Sequence, residues 1–306
     1  MAGGKLDNAK DAKNDEFYTQ LTDVSKELMH YKQHFKNKIV LCNCDDPTWS
    51  AFWKYFHLNF SALGLKKLIS THYDKNEPTY KMEYTGGDDN DIEVGVKTPL
   101  EGNGDFRNQE CLDLLDEADI VVTNPPFSLF REYVAVLMEH EKKFLIIGNK
   151  NSISYKEFFP LLKRNEVWIG YNSPSEFDTP NGLTKKVQGL CRWFTNLDIQ
   201  KRHEKLILWK KYNPEEYPVF DELPNIINVD KVNDIPTDYD GMIGVPITFL
   251  DKYNPEQFEI VDGLNRYTIL DYFGINEDVM KRHSHCCNIN GVSKYYRIVI
   301  RKKVGA

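Results

Sequence analysis

The sequence has no long apolar run and little cysteine. No stretch approaches the ~20 apolar residues that a membrane-spanning helix needs, and the charged opening MAGGKLDNAKDAKNDEF lacks the apolar core of a signal peptide. Six cysteines are scattered through 306 residues without a repeating frame, which excludes a disulfide-stapled scaffold. We therefore expect a cytoplasmic protein in a reducing compartment, with no membrane association.

Two common catalytic motifs and a zinc motif are also missing. The sequence has no GxxxxGK[ST] phosphate loop and no GxSxG element, which argues against nucleotide hydrolysis and acyl transfer. His283, His285, Cys286 and Cys287 lie close together, but no second ligand pair stands at zinc spacing. The sequence therefore predicts no metal site.

Charge is unevenly distributed along a chain whose formal net charge is −7. Residues 213–240 contain eight acidic residues and one lysine, whereas residues 280–306 contain seven lysines and arginines and no acid. We expect the acidic stretch to avoid phosphate and the basic tail to contact a polyanion. A terminal strand with a solvated basic face is the structural alternative.

Strands and helices alternate in the first half of the chain. Apolar residues at three- and four-residue steps predict a helix over Thr22–Phe35, and Gly64 indicates the capped end of an aromatic-rich helix over residues 49–63. Further helices are predicted over residues 108–117 and 129–141. Apolar runs predict strands at Lys38–Cys44, Lys66–Tyr73, Asp119–Thr123 and Lys143–Gly148. This alternation is typical of a doubly wound α/β fold with a mainly parallel sheet.

The second half is richer in strand candidates. They are Val167–Tyr171, Cys191–Leu197, Leu206–Lys210, Gly244–Leu250, Phe258–Val261 and Tyr295–Ile300. Composition shifts to acidic and proline-containing after Tyr212. We therefore predict a catalytic domain over residues 1–210 and a β-rich C-terminal part over residues 211–306.

The sharpest motif is Asn124-Pro125-Pro126-Phe127, directly after a buried strand. An exocyclic amine on a nucleobase is a poor nucleophile because its lone pair is delocalised into the ring. The Asn124 side-chain oxygen and the Pro125 carbonyl can accept hydrogen bonds from such an NH₂ group and orient its lone pair. Two prolines stiffen the loop, and Phe127 can stack on a base extruded from a duplex. A turn that simply stops the strand is the alternative.

Several sequence segments, taken together with this motif, resemble one known protein family. DEFYTQ (Asp15–Gln20), CNCDDP (Cys42–Pro47), GDFRNQE (Gly104–Glu110), VVTNPPFSLFREY (Val121–Tyr133) and GVPITFLDKYNPEQFE (Gly244–Glu259) together resemble the EcoRI-type adenine-N6 DNA methyltransferases. The resemblance runs from about Asp15 to the C-terminal strand. It implies a Rossmann-like methyltransferase fold, S-adenosylmethionine as methyl donor, and target recognition by the C-terminal part.

The resemblance also implies which residues contact the donor. They are Phe17, Tyr18, Thr19, Asn43, Cys44, Asp45, Asp46, Asp74, Asp105, Phe106 and Asn124. Thr19 is expected to cap a helix whose N-terminus suits the donor's carboxylate. The loop Asn43–Asp46 replaces the glycine-rich turn of most relatives, and Asp46-Pro47 opening a helix is the structural alternative. Asp74 is the ribose-binding candidate, while Asp105 and Phe106 are expected to meet the donor's adenine.

The expected partner is double-stranded DNA. Its candidate contacts are Lys185, Lys186, Arg192, Arg297 and Arg301. We expect a monomer that modifies one site, in a restriction-modification system whose cognate endonuclease makes no direct contact with it. Two alternatives remain open at this point: methylation of RNA adenine or of a protein glutamine amide, and a noncatalytic DNA-binding protein that keeps the fold.

Overall fold

The computed structural model describes residues 18–178, 183–264 and 288–303. The chain forms two units. The first comprises Met1–Asn151 and Val167–Leu197, and the second Ser152–Glu166 and Asp198–Ala306. The segment 152–166 thus belongs with the C-terminal half, whereas the sequence-based division falls at residue 210. No described helix is long and apolar enough to span a bilayer.

The first unit contains eleven of the described strands and six α-helices. Its strands are β1 (Tyr18–Thr19), β2 (Ile39–Cys42), β3 (Lys67–Thr71), β4 (Tyr80–Tyr84), β5 (Val96–Pro99), β6 (Ile120–Thr123), β7 (Lys143–Asn149), β8 (Trp168–Ile169), β9 (Glu176–Asp178), β10 (Thr184–Lys186) and β11 (Cys191–Thr195). Its helices are α1 (Leu21–Leu28), α2 (Lys32–Phe35), α3 (Ala51–Leu58), α4 (Phe60–Leu63), α5 (Gln109–Glu117) and α6 (Phe130–Glu139), with a 3₁₀ turn at Phe127–Leu129.

The main sheet has eight strands in the order β5-β4-β3-β2-β6-β7-β11-β8. Its four central strands, β3, β2, β6 and β7, run parallel. On both sides of them, each outer strand pairs antiparallel with its neighbour. Every residue of β2 and β6 is buried, as expected for parallel strands covered on both faces. The predicted α/β fold is confirmed. The second sheet of this unit is the small antiparallel sheet β1-β9-β10.

The second unit is β-rich, as predicted. It contains α7 (Phe159–Lys163), β12 (Ile226–Asn228), β13 (Met242–Pro246), β14 (Phe258–Gly263), β15 (Asn288–Ile289), β16 (Val292–Ser293) and β17 (Arg297–Lys302), with 3₁₀ turns at Gln200–His203, Val232–Asp234 and Ile247–Lys252. Strands β12, β13, β17 and β14 form one sheet. Ile226 of β12 and Val299 of β17 form a buried cluster with Phe220.

Four of the predicted elements are wrong in whole or in part. The helix expected over residues 49–63 is interrupted at Asn59, between α3 and α4, and the strand expected at Gly244–Leu250 ends at Pro246, where a 3₁₀ turn follows. The helix expected over Thr22–Phe35 is broken between α1 and α2, because the amides of His30 and Tyr31 bond three residues back instead of four. The strand expected at Leu206–Lys210 does not form; that segment bonds to side chains and loops of its own unit. Strands β4 (YKMEY) and β5 (VKTP) were not predicted, because neither contains a continuous apolar run and β5 is mostly exposed.

Glycine is required at one tight approach in the first unit. Gly104 has φ +73°, and a Cβ there would overlap the carbonyl oxygen of His72, which follows β3. Asp74 N–H donates to Asn103 O over 3.2 Å. The loop that carries Asp105 and Phe106 is therefore held against the carboxyl end of β3.

Gly104→Ala tests the close contact between Gly104 and the His72 carbonyl. Gly291 supplies a matched control, because its φ is +74° but nothing lies within 4 Å of a Cβ there. Both substitutions carry the left-handed backbone cost of about 1–2 kcal/mol, whereas Gly104→Ala adds an overpacking cost of about 1–3 kcal/mol. Urea denaturation should show Gly104→Ala as clearly less stable than Gly291→Ala. Equal losses would contradict the close contact.

Candidate active site

The strand order changes direction between β2 and β6. From β2 the chain continues outward to β3 on one side, and β6 and β7 follow on the other. Ligands of open α/β sheets bind beyond the carboxyl ends of the strands at such a switch point. Asn43 and Asn124 each follow one of these two strands. The hydroxyl of Thr123 donates to the Asn43 carbonyl over 2.6 Å, so the two loops are joined at their base.

The loop after β2 is shaped by Thr71, at the end of β3. The Cys44 amide donates to the Thr71 hydroxyl over 3.1 Å, and that hydroxyl donates to Asn43 Oδ1 over 3.0 Å. The Asp45 amide donates to the Thr71 carbonyl over 2.9 Å. Cys44 has φ +58°, a conformation that usually favours glycine. The turn therefore forms without glycine because neighbouring hydrogen bonds hold it.

Asp45, in the loop after β2, has a buried carboxyl that faces Thr123 at the end of β6. Burial raises its pKa to about 7, against hydrogen bonds from Ser50 and Thr123 that lower it. The contact from the Thr123 hydroxyl measures 3.5 Å. A positive charge placed beside this group would favour its ionised form, which makes the site suited to a cationic ligand.

Asp46 lies in the same loop but is engaged by its neighbours. Its Oδ1 accepts hydrogen bonds from the hydroxyls of Tyr80 at 2.7 Å and Thr48 at 2.8 Å. Its carbonyl accepts the Ser50 amide at 2.8 Å, just before α3 begins. Asp46 therefore lies in the turn that precedes α3, whose N-cap is Ser50, and ligand contact by the Asp46 carboxylate stays a prediction.

The Asn-Pro-Pro-Phe loop continues from β6 into a 3₁₀ turn. The Pro126 carbonyl accepts the Leu129 amide over 3.0 Å, so this carbonyl is used within the turn. The Asn124 side-chain oxygen is buried, and its role as an acceptor, with the Pro125 carbonyl, stays a prediction. The Phe127 side chain is half-buried, and its ring centroid lies 6.2 Å from that of Phe177 in β9.

Two acids on α1, which the sequence analysis did not select, hold the segment that leads to Phe177. Glu27 accepts the amides of Tyr171 at 2.8 Å and Asn172 at 2.7 Å. Asp23 accepts the Ser175 amide at 2.7 Å and also its hydroxyl. The sequence does contain a sign of this role. The two acids are four residues apart and lie beside Val24 and Leu28, which form the apolar face of the helix. Both carboxyls are buried, so they act as internal anchors.

Thr19 lies in β1, opposite Phe177 of β9. The predicted cap at Thr19 is wrong, because α1 starts at Leu21 and its N-cap is Gln20. The Thr19 hydroxyl is instead buried, and it has no hydrogen-bond partner among the described residues. Phe17 lies outside the described residues, and Tyr18 precedes Thr19 in β1.

The remaining candidate donor contacts lie around the end of β3. Asp74 Oδ1 accepts the amides of Asn76 and Glu77. Asp105 forms a two-pronged pair with Arg107; burial alone would raise the pKa of Asp105, but these bonds bring it below the usual value. Phe106 is buried, with its ring 4.9 Å from that of Tyr133.

The candidate DNA contacts differ in exposure. Lys185 and Lys186 lie in the exposed strand β10, and Arg192 is half-buried in β11. Arg301 is about half exposed. Arg297 needs correction: its guanidinium is buried, donates to Asn228 over 3.0 Å and pairs with Asp230 at 2.8 Å. Its charge is used inside the second unit, so it is no longer a candidate for phosphate contact.

No group of three or more described His, Cys, Asp or Glu residues is arranged to hold a metal ion. The His283–Cys287 cluster lies outside the described residues.

Known proteins resemble the chain over nearly its whole length. The family model described as "Adenine-specific methyltransferase EcoRI" matches residues 5–303. Type II methyltransferase M.EcoRI of Escherichia coli is 43% identical over 330 residues, which cover 97% of this chain and 96% of that protein. Type II methyltransferase M.MpnI of Mycoplasma pneumoniae is 39% identical over 320 residues, covering 97% and 98%. No solved structure matches the chain.

Asp45→Asn tests the buried carboxyl. Its pKa is about 7 in the folded chain, against an ordinary value of 3.8 for aspartate, so the folded state holds a proton that the unfolded chain releases. That contribution to stability is complete below the unfolded pKa and is lost as pH rises through the folded one. Relative to Asp45→Asn, the wild type should therefore lose stability between about pH 5 and the folded pKa of about 7 at about 1.4 kcal/mol per pH unit, and the difference should level off at higher pH.

Urea denaturation of both proteins across this range measures the difference. Asp113→Asn, at an exposed position of α5, is the control and should follow the wild type. Parallel pH profiles for wild type and Asp45→Asn would show that the carboxyl does not hold the proton.

Proposed function

Because the chain belongs to the EcoRI-type family of adenine-specific methyltransferases and is a site-specific DNA adenine methyltransferase, we propose that S-adenosylmethionine is its methyl donor. We further propose that the methyl acceptor is N6 of an adenine extruded from duplex DNA. The observation that carries this proposal is the hydrogen bond from Thr123 to Asn43. It joins the candidate donor loop to the candidate acceptor loop at the switch point of the sheet.

The residues around the switch point fit this donor. The buried Thr19 hydroxyl lacks a partner among the described residues and suits a carboxylate. Asp45 suits the positive charge of a sulfonium. When bound, S-adenosylmethionine supplies an electrophilic methyl group on positively charged sulfur. We propose that it is held by Phe17, Tyr18, Thr19, Asn43, Cys44, Asp45, Asp46, Asp74, Asp105, Phe106 and Asn124.

Asp105 can serve a ligand while keeping its internal hydrogen bonds. A carboxylate has about four lone-pair positions. Arg107 donates three hydrogen bonds to Asp105, two from its guanidinium and one from its amide, and these use only some of the positions. We propose that Asp74 accepts from the ribose hydroxyls and Asp105 from the adenine amino group of the donor, with Phe106 against that adenine ring.

Asn124 and Pro125 prepare the substrate amine. The Asn124 side-chain oxygen and the Pro125 carbonyl accept the two N–H groups, which draws the nitrogen toward tetrahedral geometry and frees its lone pair for bond formation. The rings of Pro125 and Pro126, which follow Asn124 directly, limit the movement of the backbone at these acceptors, and the Pro126–Leu129 hydrogen bond fixes the loop beyond them. The stabilisation grows as positive charge develops on the nitrogen, so it acts mainly in the transition state.

Phe127 receives the extruded base. Its half-buried ring can offer a face for stacking, and base extrusion costs a few kcal/mol that such stacking offsets. Outside the catalytic loop, Lys185, Lys186, Arg192 and Arg301 are proposed to contact the DNA backbone. We also propose that the enzyme acts in the cytoplasm as a monomer, with no direct contact to a cognate endonuclease. Sedimentation with and without DNA tests the monomer.

Asn124→Ala should abolish most methyl transfer. Loss of one preorganised acceptor typically costs about 10²–10³ in kcat, whereas affinity for donor and DNA should stay within a few-fold because the interaction strengthens only in the transition state. Asn124→Asp keeps an acceptor oxygen and should retain more activity. Transfer from radiolabelled S-adenosylmethionine to unmodified DNA measures kcat, and calorimetry measures donor binding. A parallel loss of donor affinity would count against this role.

Phe127→Ala should weaken capture of the extruded base. With 2-aminopurine at the target position, the wild type should give a fluorescence increase on binding, and Phe127→Ala a smaller one. Phe127→Tyr keeps the ring and is the matched control. An unchanged signal in Phe127→Ala would remove stacking from the proposal.

A further inference from the structure

A short apolar and basic segment of the second unit is held in an exposed position. In residues 205–211, KLILWKK, Ile207 is 83% exposed and Trp209 is 66% exposed. Lys205 and Lys211 are exposed as well. Leu206, Leu208 and Lys210, which alternate with them, are half-buried. Alternation of this kind is typical of an extended chain with two faces, so one face presents four residues to solvent: Lys205, Ile207, Trp209 and Lys211. We call these four residues the outer strip.

The segment is anchored from its inner face. The Leu206 amide and carbonyl form two hydrogen bonds of 2.8 Å with the Gln257 side chain. The Lys210 carbonyl accepts the Thr237 amide over 2.8 Å, and the Lys210 ammonium pairs with Asp234 at 3.2 Å. Because both ends of the segment are bonded, Ile207 and Trp209 are displayed by a fixed backbone.

Two nearby acids, Asp234 and Asp238, are engaged by Lys210 and by the Tyr212 amide. Asp234 pairs with Lys210 of the inner face. Asp238 accepts the Tyr212 amide over 2.7 Å; this bond, and to a smaller degree the charge of Lys211, lowers the pKa of Asp238. The outer strip therefore keeps two lysines beside its apolar pair, in a chain whose net charge is −7.

Folding normally buries large apolar side chains such as tryptophan and isoleucine, because burial is favourable. Two of them exposed on the same face are typical of an interaction surface. Tryptophan is among the residues that contribute most to binding when a partner buries them. The flanking lysines select a partner that is both anionic and able to cover an apolar ring. Duplex DNA has these properties, since phosphates border grooves lined by sugars and bases.

The dimensions also fit a groove. At about 3.3 Å per residue, Lys205 and Lys211 are at most about 20 Å apart along an extended backbone. The major groove is about 12 Å wide. Two lysine side chains can therefore reach the phosphates on both sides of a groove while Ile207 and Trp209 lie between them.

We infer that the outer strip binds duplex DNA, with Lys205 and Lys211 on phosphates and Ile207 and Trp209 on the sugars and bases of the groove. The inference rests on the proposed function in that the substrate is DNA. It adds a contact surface in the second unit that motif reading does not select.

Variants of the full chain test the strip by fluorescence anisotropy with a labelled random-sequence duplex. Trp209→Ala should raise Kd by roughly tenfold or more, as expected when an aromatic side chain that a partner buries is truncated. The double variant Lys205→Ala/Lys211→Ala should reduce the salt slope of binding by about 2, since each phosphate contact contributes about 0.9. In methylation assays the Trp209→Ala effect should appear mainly as a higher KM for DNA.

Control variants come from the acidic part of the same unit. Val219 is 41% exposed and Lys231 is exposed, and Val219→Ala and Lys231→Ala should bind DNA like the wild type. Thermal unfolding should give the same Tm for all variants, because the substituted side chains are exposed. Trp209→Phe reports on contact directly: if Trp209 meets DNA, the fluorescence change on DNA addition, among five tryptophans, should shrink in this variant.

The outcomes separate this inference from the proposed function. If the wild type produces N6-methyladenine but the strip variants bind DNA unchanged, the strip inference fails and the proposed function stands. If Trp209→Ala abolishes self-association of the wild type without altering DNA affinity, the strip is a protein interface and the inference also fails. If the wild type binds DNA through the strip but yields no N6-methyladenine from S-adenosylmethionine, the proposed function fails alone.

Discussion

Parallel pairing of β2 with β6 is the constraint on which the site depends. Val40 and Leu41 pair with Ile120 and Val121, so both strands end at the same edge of the sheet. The Thr123 hydroxyl then ties the two exits together. Without this register, the candidate donor loop and the Asn-Pro-Pro-Phe loop would have no fixed relation. Methyl transfer depends on such a relation because reacting atoms must be held close and aligned.

Two buried carboxyls hold the chain segment that leads to Phe177. Asp23 and Glu27 lie on the buried face of α1 and accept backbone amides from residues 171–175. Burial raises the pKa of Glu27, and its hydrogen bonds from Tyr171, Tyr31 and Asn172 oppose that effect. Buried charge is tolerated only where hydrogen bonds satisfy it. These acids therefore fix the path of the chain toward Phe177 and, through β9, toward Thr19.

The second unit contains two kinds of basic residue: those paired with an acid of the protein and those that face solvent. Arg297 and Lys210 lie against the protein and pair with Asp230 and Asp234. Lys205 and Lys211 face solvent. A cation that is paired inside the protein contributes to folding, and leaving its acid unpaired would be costly. Only the solvent-facing cations remain suited to phosphate, so charge counts alone cannot identify a DNA surface.

The sequence by itself determined the α/β class and the central strands, because buried parallel strands read as apolar runs, and it supplied the candidate catalytic motif, because Asn-Pro-Pro-Phe places its proposed chemistry in four consecutive residues. It also determined the family, through blocks spread along the chain. It could not determine that Thr19 leaves its expected cap position, that Arg297 is buried, or that Leu206–Lys210 is held by Gln257 instead of joining a sheet. Such roles depend on partners tens of residues away in the chain, and only tertiary packing decides which partner each polar group meets.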